Sequence, residues 1–182
     1  GWSPFAMSED IAPSSRSSVS WGWKKHAPYK PDLVEEGGNK LISPSRDEIT
    51  NTIELSLLTT SGRATNQLFE VNSDTSAACA LVSKHAAMLM AQYPEYWPET
   101  IRGLLVHTAR WTSRMHERYR TERAQGTPKS AKESLLRMVG YGVPNLNRAM
   151  HSAENALTLI LGFSVLPFLE VIRITPFAAR EP

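Results

Sequence analysis

The chain has 182 residues, 41% hydrophobic and 21% charged, an ordinary globular composition with enough apolar content for one buried core. A formal net charge of +2 gives no electrostatic reason to expect a polyanionic partner, and a single cysteine excludes an intrachain disulfide and a cysteine-built zinc site. No run of ~18 apolar residues occurs, so no transmembrane helix is expected.

Residues 1–29 are rich in Ser, Pro and Trp without periodicity and read as loop. Trp2, Trp21 and Trp23 fit packing anchors for that loop better than a substrate groove, and Lys24, Lys25, His26 and Lys30 read as a solvated basic cluster. Pro31 to Val34 reads as a short strand ended by Gly37-Gly38. Ile53 to Leu57 alternates with period two and predicts a second strand, and Leu68 to Val71 a third. Gly62 and Asn66 suggest a hairpin between those two.

The stretch from Asn72 to Met90 organises the rest. No proline or glycine interrupts it from Ala77 to Gln92, and its alanines favour a helix. Being apolar almost all round, that helix is expected to be central and buried. Ser76 falls at its amino end, where backbone N–H groups lack intrahelical partners and the helix dipole is positive. A hydroxyl beside a free N–H is the pairing that acyl transfer needs. Cys79 reads as a small buried hydrophobe, and His85, two and a half turns from Ser76, is too far for a catalytic pair.

Pro98 suits a first helical position, and Ile101, Leu104, Leu105, Thr108 and Ala109 share one helical face. His107 lies off that face and reads as a surface histidine. Arg110, Arg114 and Arg118 follow at i+4 spacing; interspersed acids make a solvated face the better reading than a phosphate-binding one. Gly126-Thr127-Pro128 marks a loop, and Ala131 to Val139 a helix that Gly140 closes. Asn145 can cap another short helix holding Leu146 and Ala149-Met150. From Ala156 the pattern turns strand-like: Leu157 to Leu161, then Phe168 to Thr175.

Asp74-Thr75-Ser76-Ala77-Ala78 resembles the Gly-Thr-Ser-x-Ala signature around the nucleophile of subtilisin-like serine peptidases. Lys30-Pro31-Asp32-Leu33-Val34 with Gly37-Gly38-Asn39, the Pro98 to Ala109 segment and Gly140-Tyr141-Gly142-Val143-Pro144-Asn145 resemble further landmarks of that family, in its order, over about residues 28–150. The resemblance implies a partial α/β subtilisin-like fold, a mainly parallel sheet flanked by helices, with Ser76 as nucleophile and oxyanion N–H donor at the start of a buried central helix. Residues 1–150 would be the C-terminal part of the catalytic domain, and 151–182 a divergent or appended strand-rich tail. Asp74 and Thr75 would neighbour the site. Asp74 stands where glycine is usual, which suggests a helix cap and no further need for a positive φ. Ala80 replaces a usual proline.

In this family the triad aspartate and histidine precede the serine. Upstream of Ser76 the chain offers only His26, without the family's His-Gly-Thr context, and no Asp-(Thr/Ser)-Gly block. Asn39 lies in the wrong place for the oxyanion asparagine. The implied parent is a serine endopeptidase acting on a protein or peptide substrate without cofactor or metal, and without a nucleic-acid or membrane partner. The chain alone, starting without methionine or a signal-peptide pattern, would be a piece needing the upstream segment of the same protein, and inactive without it. Other readings are a non-catalytic subtilase-like interaction module and a nucleic-acid-contacting helical module on Arg110 to Arg123. One cysteine is compatible with secretion, and the cytoplasm is slightly favoured.

Overall fold

The computed structural model describes residues 1–21, 27–63, 65–155, 162–166 and 169–173. Short antiparallel pieces come first: β1 (Ser3–Pro4), β2 (Leu41–Ile42) and β3 (Ile49–Thr50) form one small sheet. A hairpin of β4 (Leu57–Thr60) and β5 (Phe69–Asn72) pairs Leu57 with Asn72 and Thr60 with Phe69, across the turn that Gly62 and Asn66 suggested. Helices α1 (Asp74–Gln92), α2 (Pro98–Thr108), α3 (Ser113–Gln125), α4 (Pro128–Val139) and α5 (Leu146–Asn155) follow. A second hairpin, β6 (Gly162–Leu166) with β7 (Leu169–Arg173), lies in the strand-like tail, whereas Leu157 to Leu161 falls outside the described residues.

The fold is therefore mixed α/β, but its sheets among the described residues are antiparallel, not the expected parallel one. The Pro31–Val34 stretch shows why. It is extended but belongs to no ladder. Tyr141 N–H donates to the Asp32 carbonyl at 2.9 Å, and Val34 N–H donates to the Gly142 carbonyl at 3.1 Å. A parallel ladder would send the second bond to Tyr141, so the pairing is out of register by one residue. The alternation of an extended chain still holds there: Leu33 packs on one core and Val34 on the other.

Those two cores account for the helices. Leu89 of α1, Ile101, Leu104 and Leu105 of α2 and Ala149 of α5 form the first, with Val82, Ala86 and Tyr93 against it. Ile101, Leu104, Leu105 and Thr108 of the expected face are buried, whereas Ala109 lies just past the end of α2 and is half-buried; His107 is exposed. Met115 of α3 and Leu135 and Val139 of α4 form the second, flanked by Trp111 and Tyr119. Local chemistry sets the ends. Pro94 stops α1 at Tyr93, Thr127 and Ser130 close a capping box on α4, and the Asn145 side chain accepts the Arg148 N–H at 2.8 Å.

Several expectations are corrected. Ile53–Leu55 is a 3₁₀ turn and not a strand, because the Ser56 hydroxyl turns back to the Thr52 carbonyl at 2.6 Å. Helix α1 is not buried all round: only Ala77 and Leu89 are buried, and Cys79, Met88 and Met90 are exposed. Few elements cover its outer face among the described residues, so its apolar sequence did not translate into burial. Arg110 does not share a helical face with Arg114 and Arg118. It precedes α3 and exchanges two backbone hydrogen bonds of 2.9 Å with Val143. Arg114 pairs with Glu117 at 2.8 Å, and Arg118 makes a two-pronged contact with Asp10 at 2.9 Å, as a solvated, ion-paired face would.

The N-terminal tract is mostly loop, held by specific bonds. Ser18 is fully buried, its N–H donating to the carbonyls of Lys30 and Arg137. Trp2 is exposed; Trp23, Lys24, Lys25 and His26 lie outside the described residues.

Candidate active site

The β5 strand delivers the chain through Ser73 directly into α1. Ser73 is the N-cap by position, in extended conformation and without a side-chain capping bond, which makes Asp74, Thr75 and Ser76 the first three helical residues. Ser76 is exposed. Among the described residues, neither its hydroxyl nor its N–H has a hydrogen-bond partner, and the same is true of the Thr75 N–H. The first turn of α1 thus presents open donors with the positive end of the helix dipole around a free hydroxyl.

Asp74 corrects the capping expectation. Its φ is +72°, so the position keeps the left-handed backbone for which glycine is suited, and aspartate is one of the few side chains that tolerate it. It is not the N-cap. Its N–H donates to the Gly37 carbonyl at 2.6 Å, and its carboxylate lies 3.6 Å from Lys40 Nζ. Gly37 is needed for this approach, since a Cβ there would stand 2.9 Å from the Asp74 carbonyl oxygen.

A groove of about 1090 Å³ opens beside this turn. From α1, Asp74, Thr75 and Cys79 and, further along, Val82, Ala86 and Met90 line it, together with Leu33 to Gly38. Ser76 stands outside its wall.

Several other polar groups near the groove have structural partners. Asp32 receives Lys30 Nζ at 2.6 Å and Arg102 Nη2 at 2.7 Å. Burial alone would raise its pKa, but the hydrogen bonds and charges of those two cations outweigh it and hold the carboxyl below its ordinary value. The Lys-Pro-Asp landmark is therefore a strut between the extended segment and α2. The Asn39 amide is anchored on Ala6, donating to its carbonyl at 2.8 Å and accepting its N–H at 3.1 Å. His85 lies 3.8 Å from Glu35, well along α1 from Ser76.

The structure thus brings Asp74, Thr75 and Ser76 to one open helix end, and no imidazole or carboxylate hydrogen-bonds to Ser76 among the described residues. Sequence reasoning missed Lys40 and Gly37 as partners of Asp74. The only signal was the Gly37-Gly38 pair, which reads equally well as a plain turn.

Comparison with known proteins identifies the family of the chain. The model of the subtilase family matches residues 5–142, and the chain belongs to that family. It is also similar to the uncharacterized protein y4bN of Sinorhizobium fredii (strain NBRC 101917 / NGR234). The two are 25% identical over 159 residues, covering 86% of this chain and 34% of that protein. The chain therefore spans about a third of that relative. No solved structure matches it.

Proposed function

We propose that this chain carries the nucleophile of a subtilisin-like serine endopeptidase and that Ser76 is that nucleophile. The observation behind the reading is the free Ser76 hydroxyl beside its own free N–H at the start of α1, in a chain of this family. In the reaction the Ser76 oxygen attacks the carbonyl carbon of a peptide bond while a base takes the hydroxyl proton. The carbonyl oxygen becomes an oxyanion facing the Ser76 N–H. The C–N bond then breaks, the amine leaves with the proton from the base, and water hydrolyses the acyl-serine. No cofactor takes part.

The base and its orienting carboxylate belong to an upstream segment of the same polypeptide, because the family's order is Asp, His, Ser. The 182-residue chain alone is then inactive. Peptide hydrolysis tests both halves of the proposal. It is expected from a polypeptide that includes the preceding segment, lost on Ser76→Ala, and absent from the 182-residue chain. Ser76-dependent hydrolysis by the chain alone would remove the need for an upstream partner.

A second reading, a non-catalytic subtilase-like interaction module, draws on Asp74. A carboxylate two residues before the nucleophile opposes a developing oxyanion. Ser76-dependent hydrolysis by the longer polypeptide would exclude it.

A further inference from the structure

The turn that presents Ser76 carries an acid in its left-handed position, and the structure supplies that acid with one cation. Lys40 Nζ lies 3.6 Å from Asp74 Oδ1, and the Lys40 side chain is the less exposed of the two, at 26% against 46%. Lys40 does not reach Asp74 from a free loop. The Asn39 N–H donates to the Leu55 carbonyl at 2.8 Å, and the Asn39 side chain is tied to Ala6. The adjoining Gly37 carbonyl takes the Asp74 N–H. The Gly37–Lys40 segment therefore fixes the turn through its backbone and neutralises it through one side chain.

We propose that Lys40 is a positioning residue for the Ser76 reaction: it holds the Asp74 carboxylate in an ion pair and offsets the charge carried two residues before the oxyanion donor. This deepens, and rests on, the assignment of Ser76 as nucleophile. The physical need is plain. An unpaired carboxylate close to a forming oxyanion raises the transition state more than the ground state, because the negative charge on oxygen appears only in the transition state. A paired carboxylate presents a dipole instead, whose effect falls off faster with distance.

Losing Lys40 should therefore matter only while Asp74 is present. Labelling by a fluorophosphonate tests it in the polypeptide that includes the preceding segment. In that step the Ser76 oxygen bonds to phosphorus, fluoride leaves, and the serine proton passes to the base. Lys40→Met is expected to slow the saturating labelling rate about tenfold, leaving half-saturation little changed. Lys40→Arg keeps the cation and should restore most of the rate. Asp74→Gly should label faster than the parent, and Lys40→Met added to Asp74→Gly should cost nothing further.

Thermal melts of the same variants separate folding from chemistry, since a structural role for Lys40 would lower the melting temperature without rescue by Asp74→Gly. An unchanged rate in Lys40→Met, or a tenfold loss that persists in the Asp74→Gly background, would overturn the proposal. Labelling that persists after Ser76→Ala, or is absent from every variant, would instead overturn the nucleophile assignment, and the Lys40 role with it.

Discussion

Gly140→Ala is the substitution whose cost the structure fixes most sharply. Gly140 ends α4 with φ +58° and ψ −137°, and its N–H donates to the Leu136 carbonyl at 3.0 Å. A Cβ there would lie 2.2 Å from the Asp32 carbonyl oxygen and 2.3 Å from that of Pro31, both backbone atoms that cannot rotate away. Relief requires the Gly140 and Pro31–Asp32 backbones to part by about 1 Å, which breaks the bond from Tyr141 N–H to Asp32. A positive φ with ψ near extended, a region essentially reserved for glycine, costs alanine about 1–3 kcal/mol, the lost hydrogen bond about 1 kcal/mol, and overpacking a further 1–3 kcal/mol. The reduced freedom of the unfolded chain returns about 0.4–1 kcal/mol. A net destabilisation of about 2–6 kcal/mol follows, a large share of the roughly 5–15 kcal/mol that holds a domain together. Urea unfolding followed by circular dichroism measures it. The control is Gly103→Ala in α2, where nothing lies within 4 Å of the added Cβ and alanine should stabilise by about 0.5–1 kcal/mol. A loss below about 1 kcal/mol at Gly140, or equal effects at the two positions, would refute the close approach of α4 to the Lys-Pro-Asp segment.

Two further expectations concern the cores and the Asp32 strut. Leu135 is fully buried between α3 and α4, so Leu135→Ala should cost about 2–5 kcal/mol in the same unfolding assay; a cost under 1 kcal/mol would mean that the second core is not packed as described. Asp32 has a folded-state pKa below its ordinary value of 3.8, so its contribution is fully present above that value and is lost as pH falls through the lower folded-state value. Acid unfolding followed by fluorescence should show a limb below about pH 4 that Asp32→Asn flattens; an unchanged limb would contradict the pairing with Lys30 and Arg102.

What the sequence made legible is what neighbouring residues decide. The α2 face, the Asn145 cap, the glycine after α4 and the β4–β5 hairpin all follow from spacings within a few residues. The misreadings occurred where distant partners decide. Leu33-Val34 has the look of a sheet strand, but a one-residue offset against Gly142 keeps it out of a ladder. Ile53 to Leu57 alternates correctly for a strand, yet a Ser56 side-chain bond winds its first part into a 3₁₀ turn. An apolar helix such as α1 predicts burial only if something covers it, and Cys79 and Met90 are left exposed. At the site, the position of Ser76 was readable from a polar turn running into an alanine-rich stretch. The positive φ of Asp74 and its partner Lys40 were not, because no local pattern joins those two residues.

We propose Ser76 as a nucleophile activated by groups from a preceding segment. Fluorophosphonate labelling followed by peptide mass spectrometry tests it most directly. In the polypeptide that includes that segment, the label should map to Ser76 and vanish on Ser76→Ala, and the 182-residue chain alone should stay unlabelled. Labelling that survives Ser76→Ala would contradict the account.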